Sequence, residues 1–188
     1  MVAAAPLRRA VFLDRDGVIN RAVVHDGKPY PPPTLDDFTI DDGVPEAIER
    51  LRAGSLWIVV VTNQPDVATG KQRRDVVDAM HARLAAAALF DAIEVCWHSA
   101  NDGCACRKPL PGMLLQAANE CRIDLGRSFM VGDRWVDVAA GRAAGCYTCW
   151  INRGYAEPAP DAPDAIVGSL PEAADRILQQ LRTIALTM

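Results

Sequence analysis

The chain has no run of apolar residues approaching the roughly 18 that a membrane-spanning helix needs. Nor does it carry an excess of positive charge: 20 Lys and Arg against 24 Asp and Glu leave a net charge of −4. That lack removes the electrostatic field on which nucleic-acid or anionic-membrane binding depends, and no Lys/Arg-rich stripe replaces it. Residues 1–9 lack a long apolar stretch ahead of a cleavage site, so no secretory leader is expected. No internal repeat and no second domain show in the pattern. What is present is ordinary for a folded domain: 188 residues, half of them hydrophobic and 23% charged, enough for one full-sized core. Six cysteines in such a chain point to free thiols or a metal rather than to disulfide staples. The expectation is a cytoplasmic monomer.

Apolar runs of strand length recur at 10–13, 57–61, 92–97, 129–131 and 146–151. A helix is expected to start at Asp42-Gly43-Val44-Pro45-Glu46, with an acidic cap and an early proline. It continues through Ala47, Ile48 and Leu51 to an exit at Gly54. Helical spacing also covers 73–88, 111–121, 137–144 and 170–186. Strands alternating with helices predict an α/β fold, a three-layer Rossmann-like parallel sheet with helices on both faces. Residues 20–38, with Pro29, Pro31, Pro32 and Pro33, read as loop or extended chain lying over the site, too short for a large cap domain. Residues 1–188 are therefore expected to form a single domain.

Ligands of such sheets bind beyond the carboxyl ends of the strands. Three apolar runs end there in polar groups: Val11-Phe12-Leu13-Asp14-Arg15-Asp16-Gly17, Val59-Val60-Val61-Thr62-Asn63 and Phe129-Met130-Val131-Gly132-Asp133. A carboxylate such as Asp14 can attack phosphorus and form an acyl phosphate, and a second acid nearby, Asp16, can protonate the leaving oxygen and then activate water. A calcium loop starting at Asp14 fails, because positions six and twelve would be Ile19 and His25 rather than a glycine and an acid. Arg107-Lys108-Pro109 supplies cations, Lys108 as a point charge for phosphate and Arg107 as a fork for a second anionic or hydroxylated group. Thr62 and Asn63 are placed to donate hydrogen bonds to a phosphoryl group. Asp137 either orients a metal-bound water or caps the helix that begins beside it.

Cys96-Trp97-His98 and Cys104-Ala105-Cys106 offer three thiolates and an imidazole within eleven positions, a set suited to a closed tetrahedral zinc site at 96–106. Because Cys106 precedes Arg107 and Lys108, that zinc would be structural and would pin the segment presenting the cations. Cys146 and Cys149 lie in an apolar strand pattern and are expected in the core, as is Cys121 at a helix end. His81 is expected on a solvated helix face, and His25 in the loop without a catalytic part.

Together these motifs resemble the haloacid dehalogenase superfamily of aspartate-nucleophile phosphatases, over about residues 10–154. Within it the chain is similar to the branch containing heptose bisphosphate phosphatases and histidinol-phosphate phosphatases. The resemblance implies Asp14 as nucleophile and Asp16 as general acid and base, with Thr62 and Lys108 stabilising the phosphoryl group. It implies catalytic magnesium held by Asp14, Asp133 and the main-chain carbonyl of Asp16. Arg15, Asn63, Gln64, Arg107 and Arg134 would surround a small phosphorylated metabolite, with neither nucleic acid nor membrane as partner. The expected substrate is D-glycero-D-manno-heptose 1,7-bisphosphate, losing its 7-phosphate. Histidinol phosphate or another small ester is the alternative. A non-catalytic, zinc-stabilised binding protein is a second, opposed by the joint presence of Asp14, Asp16, Lys108 and Asp133.

The heptose branch usually continues after Thr62-Asn63-Gln64 with Ser-Gly, an aliphatic residue and Ala-Arg-Gly. Here Pro65-Asp66-Val67-Ala68-Thr69-Gly70 follows, so a serine becomes proline and a cation becomes Thr69, with Lys71 the nearest replacement charge. Trp97 replaces a common proline, and Arg134 a common lysine.

Overall fold

A computed structural model describes residues 6–87 and 89–186. Residues 1–5, where a leader would begin, and Ala88, the last residue of the helix expected at 73–88, lie outside the described residues. The chain runs through β1 (Arg9–Leu13), β2 (Val23–His25), β3 (Lys28–Tyr30), α1 (Val44–Ala53), β4 (Leu56–Asn63), α2 (Pro65–Ala68) and α3 (Arg74–Ala86). It continues with β5 (Ala92–Cys96), α4 (Gly112–Cys121), β6 (Phe129–Gly132), α5 (Trp135–Ala144), β7 (Tyr147–Ile151), β8 (Ala165–Val167) and α6 (Leu170–Leu186).

Six of the strands form one sheet in the order β5-β4-β1-β6-β7-β8, and every pairing in it is parallel. Successive residues of β1 and β4 point to opposite faces, and both faces are buried. Val11, Leu13, Ile58 and Val60 pack in one apolar cluster with side chains of α1, α3 and α6. Ala10, Phe12, Val59 and Val61 pack in another, with Met113, Leu114 and Ala117 of α4 and Ala140 of α5. The three layers expected from the alternation are present.

From β1 the sheet grows one way through β4 to β5, and from β6 the other way through β7 to β8. A crevice opens where the two halves meet, between the carboxyl ends of β1 and β6. Asp14 and Asp133 each stand one residue beyond those ends.

Three strands escape the sequence pattern. β2 and β3 pair as an antiparallel hairpin inside the stretch read as loop. Its two-residue turn is Asp26-Gly27, both with positive φ (51° and 74°), which is the Asp-Gly turn that matches strand twist. β8 is three residues long at the sheet edge, too short to carry a period. Asp164 fixes its start by accepting from the Thr148 amide at 2.7 Å and hydroxyl at 2.8 Å.

Candidate active site

A cavity of about 270 Å³ opens at the crevice, lined by Asp14, Thr62, Lys108 and Asp137 at its floor and by β3 and Pro31 on one wall. Lys108 is 2% exposed, and its Nζ lies 2.6 Å from Asp14 Oδ1, 2.6 Å from Asp137 Oδ1 and 2.7 Å from the carbonyl of Val61. Burial works against the charge of Lys108, but Asp137 and Asp14 outweigh it and raise its pKa. Asn63 grips the same residue from below. Its Nδ2 donates to the Lys108 carbonyl at 3.0 Å and its Oδ1 accepts from the Lys108 amide at 3.1 Å. The Asn63 amide thus holds the cation's backbone, a job the expected phosphoryl contact does not include.

Asp14, Asp133 and Asp137 each bring an oxygen within 4.8 Å of the other two. Burial, reinforced by Asp137 and Asp16 and opposed by Lys108, pushes the Asp14 carboxyl from 3.8 to about 6. Burial and the charges of Asp14 and Asp137 push Asp133 well above its ordinary value. One lysine faces three carboxylates, and Asp133 Oδ1 is buried without a hydrogen-bond partner among the described residues. A hard divalent cation with oxygen ligands fits this surplus. Among side-chain carboxylates Asp137 joins Asp14 and Asp133, beside the main-chain oxygen of Asp16 that the expected set includes. Asp137 also caps α5, accepting from the Arg134 amide at 3.0 Å through Oδ2, while its Oδ1 pairs with Lys108 at 2.6 Å. The close approaches need glycine: a Cβ on Gly17 would meet Asp133 Oδ2 at 1.8 Å, and one on Gly132 would meet Asp137 Cβ at 2.0 Å.

Asp16 has a different environment. Burial works to raise its pKa, but Arg15, Asn20 and Gln64 outweigh this and hold the carboxyl below its usual value. Arg15 forks onto it at 2.9–3.1 Å, Asn20 Nδ2 donates at 3.0 Å and Gln64 Nε2 at 2.9 Å. Two expectations change here. Arg15 is fully buried and Gln64 is 1% exposed. Neither lines the cavity; both position Asp16 from behind, because their donors are already occupied. Gln64 also donates to Thr62 Oγ1 at 2.9 Å, leaving that hydroxyl's own proton for the cavity. His81 is not on a solvated face but half-buried against Arg15, accepting from Nη1 at 3.0 Å. Burial and the adjacent guanidinium push it down to about 4, so it is a neutral acceptor.

Arg107 and Arg134 both line the cavity. Arg134 is held by Glu157 through two bonds of 2.8 and 2.6 Å, whereas Arg107 has no carboxylate partner among the described residues. Lys71 does not line the cavity; Lys28, from β3, does. Pro65 begins α2, where a missing N–H costs nothing.

Beside the cavity Cys96, His98, Cys104 and Cys106 converge, with one ligand atom of each within 4.8 Å of the rest. Cys96 Sγ lies 3.8 Å from Cys104 Sγ and 3.2 Å from Cys106 Sγ, and His98 Nδ1 lies 3.2 Å from Cys106 Sγ. Cys146 and Cys149 are both buried, in clusters on opposite faces of the sheet.

The HAD-hydrolase-like family model matches residues 105–173. A D-glycero-beta-D-manno-heptose-1,7-bisphosphate 7-phosphatase of Pseudomonas aeruginosa is 36% identical, over 92% of this chain and 99% of its own length. The chain belongs to the haloacid dehalogenase superfamily, in its heptose bisphosphate phosphatase branch. The Escherichia coli protein of the same name is 35% identical to this superfamily member, covering 91% of the chain and 94% of its own. A solved D,D-heptose 1.7-bisphosphate phosphatase from B. bronchiseptica, complexed with magnesium and phosphate, superposes with a TM-score of 0.78 at 31% identity. It covers 92% of this chain and 99% of its own.

Four residues of this superfamily member escape the sequence reading: Lys28, Arg153, Tyr155 and Glu157. Arg153 Nε donates to the Gly17 carbonyl at 3.0 Å, and Tyr155 Oη donates to Asp133 Oδ2 at 2.9 Å. Only for Lys28 was a local signal present, the Asp-Gly turn that carries it over the cavity.

Proposed function

We propose that the chain is a magnesium-dependent phosphatase that removes the 7-phosphate of D-glycero-D-manno-heptose 1,7-bisphosphate, with Asp14 as nucleophile. The observation that carries this reading is Asp14 on the floor of a cation-lined cavity, one oxygen fixed by Lys108 and its neighbours a surplus of carboxylates. The names of the relatives supply the substrate.

In this reading Asp14 attacks phosphorus, the bond from phosphorus to the sugar oxygen breaks, and an acyl phosphate forms. Asp16 protonates the departing oxygen and then takes a proton from the water that cleaves the acyl phosphate. Arg15, Asn20 and Gln64 favour the anionic form of Asp16, the form that takes the proton from water in the second step. Lys108 and the Thr62 hydroxyl serve the transferring group, and Arg107, Arg134 and Asn63 border the rest of the substrate. Magnesium, held by Asp14, Asp133 and the main-chain carbonyl of Asp16, with Asp137 beside them, would neutralise phosphoryl charge.

Zinc suits the second cluster. Bonds of about 2.3 Å in a tetrahedron space sulfurs about 3.8 Å apart, the separation of Cys96 and Cys104, with Cys106 closer to Cys96 at 3.2 Å, and four protein ligands leave no position for water. Its role is structural, holding the segment that leads to Arg107 and Lys108. Every proposed group comes from one chain, so a monomer suffices, and cysteines outside any disulfide, three of them proposed zinc ligands, suit the reducing cytoplasm.

Phosphate release from heptose 1,7-bisphosphate and histidinol phosphate, with magnesium, tests the reading. Preference for the heptose, lost by at least about a thousandfold in Asp14→Asn, is expected. Turnover of histidinol phosphate alone would move the substrate and keep the mechanism. Turnover surviving in Asp14→Asn would remove Asp14 as nucleophile.

A further inference from the structure

The segment after β7 makes five ties to the active-site region and its surroundings within five residues. Arg153 binds the Gly17 carbonyl and, through Nη2, Asp41 Oδ2 at 2.7 Å. Tyr155 binds Asp133, the Ala156 amide donates to the Gly27 carbonyl at 2.7 Å, and Glu157 holds Arg134. One short strap thus reaches the turn after β1, the hairpin, and the two residues that follow β6.

Its tie to Asp133 has the most direct chemical consequence. The Tyr155 phenol accounts for Oδ2 and leaves Oδ1 buried with no hydrogen-bond partner. A second anchor fixes the same residue from β7, since Trp150 Nε1 donates to the Asp133 carbonyl at 3.0 Å. Backbone and carboxylate are therefore both held, and the carboxylate plane with them. Partners behind a metal ligand orient it and raise affinity without touching the metal.

We infer that Tyr155 is a positioning residue for a divalent cation, holding the Asp133 carboxylate in its binding orientation. The inference rests on the magnesium reading above. Tyr155→Phe removes the phenolic hydroxyl and leaves the ring. In the full chain, calorimetric titration with magnesium alone is expected to show about tenfold weaker binding in this variant. The magnesium concentration for half-maximal phosphate release should rise in step, and saturating magnesium should restore turnover. Glu157→Gln, which loosens the strap at Arg134 without touching Asp133, is expected to keep the native magnesium affinity.

An unchanged affinity in Tyr155→Phe overturns the assignment. So does an equal weakening in Glu157→Gln, because the effect would then belong to the strap as a whole. A native chain that takes up no magnesium would remove the metal reading itself, and the assignment with it.

Discussion

Asp14 and Asp16 are two positions apart in sequence, yet their carboxyls are shifted in opposite directions. The difference lies in their partners: Asp14 shares one lysine with Asp137, while a guanidinium and two amides all donate to Asp16. Folded Asp14 titrates near 6 rather than 3.8, so the folded state binds that proton more tightly. The stability linked to this group is present below pH 3.8 and is lost as pH rises through about 6. Asparagine at position 14 is neutral throughout. Without divalent metal, Asp14→Asn is expected to match the native chain near pH 4 and to be the more stable of the two above pH 6. Urea denaturation across that range measures the gap, and magnesium should narrow it. Parallel pH profiles for the two chains would contradict a penalised carboxylate.

At the scale of elements, the hairpin and the cysteine loop are short pieces with identifiable tasks. The hairpin places Lys28 on the cavity wall, and no ionic partner of Lys28 occurs among the described residues. Lys28→Met is expected to raise KM for the bisphosphate by up to about fivefold, the size of an exposed ion pair, and to spare a sugar monophosphate. An equal change for both substrates would mean that the lysine does not read the second phosphate. The cysteine loop runs directly into Arg107 and Lys108, and Asn63 anchors the far side of the same segment. Cys104→Ser is expected to drop zinc below one per chain and lower the melting temperature by at least about 5 °C. Turnover should fall with it as Lys108 loses its support. Substoichiometric zinc in the native chain, with no destabilisation on chelation, would remove the metal from the loop. Trp97, which replaces a common proline there, lies under the Arg74 guanidinium at 3.7 Å and so ties the loop's first strand to α3.

For the molecule as a whole, most of the sheet and the site floor were legible because their signals are local. Buried parallel strands read as apolar runs, and a polar residue directly after such a run falls at the ligand-binding edge. That is why Asp14, Thr62 and Asp133 stood out, and why Cys96, His98, Cys104 and Cys106, close in sequence, did too. Arg15 and Gln64 share those motifs, but their neighbours in sequence do not tell which way a side chain turns; the buried acceptors on Asp16 decide it. β8 is too short for a period, and Tyr155 and Glu157 follow a strand with no motif of their own. Pairing of β7 with β6 places the segment after β7 beside Asp133, and the Ala156 amide meets a carbonyl 129 residues earlier in the chain. By itself the sequence determined the chemistry, because strand-end carboxylates, a cation pair and clustered thiols are written in consecutive residues. Tertiary structure alone decided which of those groups face the cavity and which hold the others in place, because contacts that depend on which segments meet in space leave no pattern along the chain.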